Sequence, residues 1–182
     1  VEIMRERPGF ELAACSGASD LLKRTASNTA IGAKALRNNT SGTGLFAGGF
    51  QALVANTTGL NNTAIGYQSM NKNTVGFENT AVGHQALFSL VTGFTNTAVG
   101  HQSLYTNTGS DNTALGYRTL YLNTTGGSNT ALGQSTMYNN TTGTYNVATG
   151  KAAMYNNTTC LLYTSDAADE RSSVKLRGPP NT

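Results

Sequence analysis

Between residues 28 and 159 the chain offers little that can do chemistry. That stretch holds seven charged side chains, Lys34, Arg37, Lys72, Glu78, Asp111, Arg118 and Lys151, and two histidines, His84 and His101. Glu78 and Asp111 are its only acids, so general acid–base work by paired carboxylates has no constituents. No Ser-His-Asp order, phosphate loop or zinc spacing occurs either. His84 and His101 are the one pair of metal-ligating type, and whether they meet depends on how the 17-residue step between them folds. Cys15 and Cys160 are too few for a disulfide framework and lack metal-ligand spacing. The net charge of +3 comes without a Lys/Arg stripe, which argues against a nucleic-acid partner. The expectation is a non-enzyme with no catalytic residue, no cofactor and no metal.

Composition points the same way. Charged residues are 12% of the 182, about half the ~25% usual in soluble domains, and Asn, Thr and Gly take their place. Low charge separates the chain from ordinary disorder, and no apolar run approaches the ~18 residues of a membrane span. Fourteen of the 21 charged residues, all three prolines and both cysteines lie in the 50 residues that flank this stretch. Composition therefore breaks twice, and the middle is an object of its own.

In register, residues 28–159 are eight copies of a 17-residue unit, one of them shortened to 16, starting at Asn28, Leu45, Asn62, Asn79, Asn96, Asn112, Asn129 and Asn146. The third position is always Ala: Ala30, Ala47, Ala64, Ala81, Ala98, Ala114, Ala131 and Ala148. The fifth is always Gly: Gly32, Gly49, Gly66, Gly83, Gly100, Gly116, Gly133 and Gly150. The ninth is always Leu or Met, and the eighth always Ala, Ser or Thr.

A helical pair needs about twice that length, and each copy carries Gly, β-branched residues and Asn-Thr clusters that disfavour helix interiors. Two strand-like runs per copy, of the kind T-A-I-G-Y and Q-A-L-Y, trailed by the turn composition N-T-T-G, predict one coil of a parallel β-solenoid. The fold class is therefore all-β. Coils stacked about 4.8 Å apart would make a rod on the order of 38 Å long.

Stacking turns repeat positions into ladders. The invariant Ala and the ninth-position Leu/Met are the predicted interior, and the invariant Gly marks a bend or close backbone approach. Asn at the first position, and at the twelfth in Asn39, Asn56, Asn73, Asn107, Asn123, Asn140 and Asn157, is expected to bond between layers and satisfy turn backbone. Position four (Ile31, Ile65, Val82, Val99, Leu115, Leu132, with Gly48 and Thr149 as exceptions) faces away from Ala, and position ten adds Phe88, Tyr105, Tyr121, Tyr138 and Tyr155. Apolar ladders on two sides of one thin coil predict that one side meets another chain, most simply in a homotrimer. His84 and His101 both fall at position six, so they should stack about 5 Å apart. The Asn-x-Ser/Thr acceptors at Asn38, Asn56, Asn123, Asn139 and Asn156 read more naturally as turn chemistry than as glycosylation sites.

The motif N-T-A-[IVL]-G-[YH]-Q-[AS]-[LM] with N-T-T-G resembles the repeats of phage-type tail-fibre proteins and, more loosely, the head repeats of trimeric autotransporter adhesins. That resemblance, covering residues 28–159, implies a trimeric structural and adhesive fibre segment, extracellular, at a cell surface or on a virion, whose partner is a surface glycan or protein receptor. An alternative from the Thr and Asn ladders alone is an ice-binding solenoid. Residues 1–27 do not fit the repeat and are expected to be a cap or a linker. From Cys160 the chain reads CLLYTSDAAD, which resembles the conceptual translation of a sequencing adapter, so residues 160–182 are expected to be a non-native, disordered tail that interrupts the eighth coil.

Overall fold

The computed structural model describes residues 27–161 and the backbone of residues 164–166. Nine three-residue strands occur in chain order: β1 Thr29–Ile31, β2 Phe46–Gly48, β3 Thr63–Ile65, β4 Thr80–Val82, β5 Thr97–Val99, β6 Thr113–Leu115, β7 Thr130–Leu132, β8 Val147–Thr149 and β9 Thr164–Asp166. They form a single parallel sheet in that same order. Each strand pairs with the equivalent residues of the next coil, Ala64 with Ala81 and Ala81 with Ala98, so the repeat period becomes the axial step of a β-solenoid. No helix occurs among the described residues.

Strands β1–β8 are short because a glycine stops each one. The T-A-[IVL] triplet alternates half-buried, buried and outward residues, as a strand must. The invariant Gly then takes φ +116° to +141°, beyond the reach of an L side chain, and ends the extended run. The second run, Q-A-L-Y, is not a strand as its composition predicts. It is two successive β-turns, closed in the third coil by Ser69 N–H to the Gly66 carbonyl at 3.3 Å and Asn73 N–H to the Met70 carbonyl at 3.2 Å. Gln68 and Met70 sit at φ 53° and 49°, and the equivalent residues of the other coils do likewise. Left-handed backbone at a Leu or Met costs about 1 kcal/mol, and full burial of that side chain holds it there. The alternation sends Gln68 N–H to the Phe50 carbonyl of the coil before and Met70 N–H to the Ala86 carbonyl of the coil after, so the turns still bind both neighbours.

The interior is a narrow column. Ala47 through Ala148 at position three are fully buried, as are Leu53, Met70, Leu87, Leu104, Leu120 and Met137 at position nine. Beside the buried asparagines, one large and two small side chains fill each layer, because position eight is buried as well, and Leu45 and Leu90 add a second large one in the second and fourth coils. Enlarging a layer must therefore push the strand outward. Ala98→Leu is expected to destabilise by about 1–3 kcal/mol, read as a lowered urea midpoint, whereas an unchanged midpoint would mean the column has slack.

The boundary drawn at Thr159 is crossed by the fold. The Cys160 carbonyl accepts Asn146 Nδ2 at 2.8 Å, Leu161 bridges to Thr144, and β9 continues the register through Ala148 with Ser165. The rest of the segment from Cys160, expected to be a disordered tail, and the segment expected to be a cap or linker up to residue 26 lie outside the described residues.

Candidate functional site

The polar interior has two asparagine columns. At position one, Asn79, Asn96, Asn112, Asn129 and Asn146 are fully buried. The first four give their amides to the carbonyl of a glycine of their own coil and to the preceding Asn, as Asn96 does to Gly109 at 3.0 Å and to Asn79 Oδ1 at 3.0 Å, and in Asn146 the Cys160 carbonyl takes the place of the glycine's. Its own Oδ1 accepts the backbone N–H of the next Asn, at 3.1 Å for Asn112. At position twelve, Asn56 donates to Asn39 at 2.8 Å, Asn73 to Asn56 at 2.8 Å, and Asn140 to Asn123 at 2.7 Å. These amides replace the water that buried turn carbonyls would otherwise need.

Position twelve is broken once, by Leu90. Leucine has no donor, and Asn73 Oδ1 below it is left buried without a hydrogen-bond partner. Leu90→Asn would place an amide over that oxygen and join the two halves of the column. The expected gain is about 1 kcal/mol, measured as a raised urea midpoint, because an orphaned buried acceptor costs about 1–3 kcal/mol and part of that is offset by the lost leucine burial.

Sequence reasoning missed a third ladder. At position seven Gln68, Gln85 and Gln102 each donate to the Gln one coil below at 2.8, 2.9 and 3.0 Å, and Arg118 Nε ends the run on Gln102 Oε1 at 3.0 Å. Its signal is the repeated Gln of the motif. Arg118 also lies over Tyr117 and Tyr121, at 5.2 and 5.4 Å from their ring centroids.

Two aromatic columns flank it. At position six Phe50, Tyr67, His84, His101 and Tyr117 stack at 4.8–5.3 Å, the two histidines being nearest at 4.8 Å and 5° from parallel. Among the described residues no group of three His, Cys, Asp or Glu comes together. At position ten Phe88, Tyr105, Tyr121, Tyr138 and Tyr155 stack at 5.1–5.2 Å. Burial pushes the Tyr138 hydroxyl above the usual phenol range, Arg118 opposes, and the neighbouring Tyr121 and Tyr155 add to the rise.

The outer face of the sheet carries an apolar row at position four, with Gly48 and Thr149 as its exceptions. Ile31, Ile65, Val99 and Leu115 at position four are exposed, with Val82 and Leu132 half-buried in the same row. Beside them runs an outward row of Thr29, Thr63, Thr80, Thr97, Thr113 and Thr130 at position two. Of the sequons, Asn56 and Asn123 are fully buried with their amides engaged in the position-twelve column, so they are closed to modification, whereas Asn38 and Asn156 are exposed.

The N-T-T-G corner of the second coil also gathers backbone N–H groups. Thr57, Thr58 and Gly59 all donate to the Thr74 carbonyl, at 2.9, 3.2 and 3.2 Å, in the form of an anion-binding nest. The next coil's carbonyl fills it, so this concavity serves stacking. Cys160 is exposed and its thiol is free. Among the described residues no helix is long and apolar enough to cross a membrane. The invariant Ala and Gly positions thus assemble an axis, and every ladder built on them runs parallel to it. No protein-family model, curated protein or solved structure matches the chain.

Proposed function

We propose that the chain is a structural and adhesive fibre segment without catalytic activity, working outside the cell, at a cell surface or on a virion. The observation that carries this is the outer row of position-four side chains, apolar from Ile65 through Val82, Val99 and Leu115 to Leu132 and interrupted only by Gly48 before it and Thr149 after it, on a rod whose interior is already filled by alanine, leucine and asparagine. An apolar stripe of that length on a monomer would lie against water. A second copy of the same rod has the same axial step and meets it coil for coil, and three copies around a common axis bury all three stripes. Load is then shared by three hydrogen-bonded stacks, and the outward polar corners are left for contact with a glycan or protein receptor. Sedimentation of the full chain tests this. A trimer at micromolar concentration that Val99→Asp converts to folded monomer is the expected result, and a wild-type monomer overturns the assembly.

A second reading rests on the outward threonine row, whose regular spacing on a flat parallel sheet is a surface that orders water. An ice-binding solenoid would give thermal hysteresis that Thr97→Leu diminishes, whereas a fibre segment gives none.

A further inference from the structure

The position-ten column is a run of four tyrosines, Tyr105, Tyr121, Tyr138 and Tyr155, whose ring centroids are 5.1–5.2 Å apart and whose planes lie within 12° of parallel. All four are half-buried, so an oxidant reaches their edges while their faces cover one another. We propose that this column is a site of oxidative cross-linking, in which tyrosines of adjacent coils couple to dityrosine within one chain.

The chemistry needs an oxidant of the peroxide class acting through a haem peroxidase. One hydrogen atom leaves each of two phenol hydroxyls, giving two phenoxyl radicals. Their spin density lies partly on the ring carbons next to the oxygen. A carbon–carbon bond forms between two such carbons, and the hydrogen on each moves to its oxygen, restoring both phenols. The two hydrogen atoms removed reduce one hydrogen peroxide to two waters, so the step balances.

The fold supplies the encounter. Free tyrosyl radicals must find each other by diffusion, whereas neighbours held one coil apart have it arranged in advance. In-register stacking also puts like edges of the two rings on the same side, where the coupling carbons lie. The consequence is a covalent staple between coils, reinforcing a stack otherwise joined by hydrogen bonds and packing. Tyr145 is exposed and belongs to neither aromatic column. It serves as the internal control.

The test treats the full-length chain with peroxidase and hydrogen peroxide, then digests it with trypsin. Cleavage after Arg118 and Lys151 separates Tyr105 from Tyr121 and Tyr138, and these from Tyr155. The expected products are dityrosine fluorescence on a band of single-chain size and peptide pairs lighter by two hydrogens, joined at Tyr105–Tyr121 and Tyr138–Tyr155 by fragmentation. Tyr138→Phe keeps the ring stack and should cut the three possible links to one, Tyr105–Tyr121. Urea-unfolded chain under the same treatment should lose the selectivity. Absence of dityrosine, links only between chains, links through Tyr145, or an unchanged pattern in Tyr138→Phe would each overturn the assignment.

Discussion

Gly116→Ala is expected to destabilise the solenoid by about 4 kcal/mol, the sum of two independent penalties of about 2 kcal/mol each. Gly116 has φ +141°, where an alanine is strained by about 1–3 kcal/mol. A Cβ there would also stand 2.5 Å from the Gly133 carbonyl oxygen and 2.7 Å from its carbon, both backbone atoms of the next coil. Flexible side chains can move aside, but this backbone is fixed by its own hydrogen bonds, so the layers must separate locally. Urea unfolding monitored by circular dichroism measures the effect. The same substitution at Gly127, outside this ladder and with only the Ser110 carbonyl near at 3.1 Å, should be far milder. Equal losses at the two sites would show that close stacking at position five does not govern stability.

The second large effect is at Asn96. Its amide donates to the carbonyls of Phe94 and Gly109 at 3.1 and 3.0 Å, and its Oδ1 holds Asn112 N–H at 3.1 Å. Asn96→Ala removes these three at a fully buried site, together with its bond to Asn79 Oδ1 and those it accepts from the Asn107 and Asn112 amides. The Gly109 carbonyl keeps a bond from Asn107 at 3.0 Å, but the Asn112 N–H loses its acceptor. Orphaned buried groups cost about 1–3 kcal/mol each, so a loss of about 3 kcal/mol is expected, with hydrogen exchange accelerating first at Asn112. Unchanged exchange at that amide would mean another acceptor replaces the side chain. Leu45 occupies this position in the second coil and its N–H bonds Asn28 Oδ1 at 2.9 Å, so the lower neighbour is still served when the column ends there.

Much of this is legible in the sequence because the fold is one-dimensional. A period of 17 fixes which residues lie above one another, so the burial of Ala98 and Leu104 and the 4.8 Å stacking of His84 on His101 come from counting. The second strand expected in each coil is absent because composition reports side chains, while the turns at Gln68 and Met70 depend on backbone angles that Gln and Met rarely adopt. Nothing in Q-A-L-Y signals them except the glycine before it. The unpaired oxygen of Asn73 is foreshadowed by the one Leu in a column of Asn, and its cost shows only when the layers are stacked. Past Cys160, Thr164–Asp166 keep the parallel register of the coil before, Ser165 facing Ala148.

The shortened coil, residues 96–111, reaches from Asn107 to Gly109 in two steps where other coils take three. The strand register on either side is untouched, Ala98 still facing Ala114. What is missing is the fourteenth residue, which is exposed in every other described coil, so neither the filled column nor the amide chains lose a member. That corner is a place where the polypeptide can change length without dislocating the rod, and a foreign loop grafted there would ride outside it at a spacing set by the neighbouring layers.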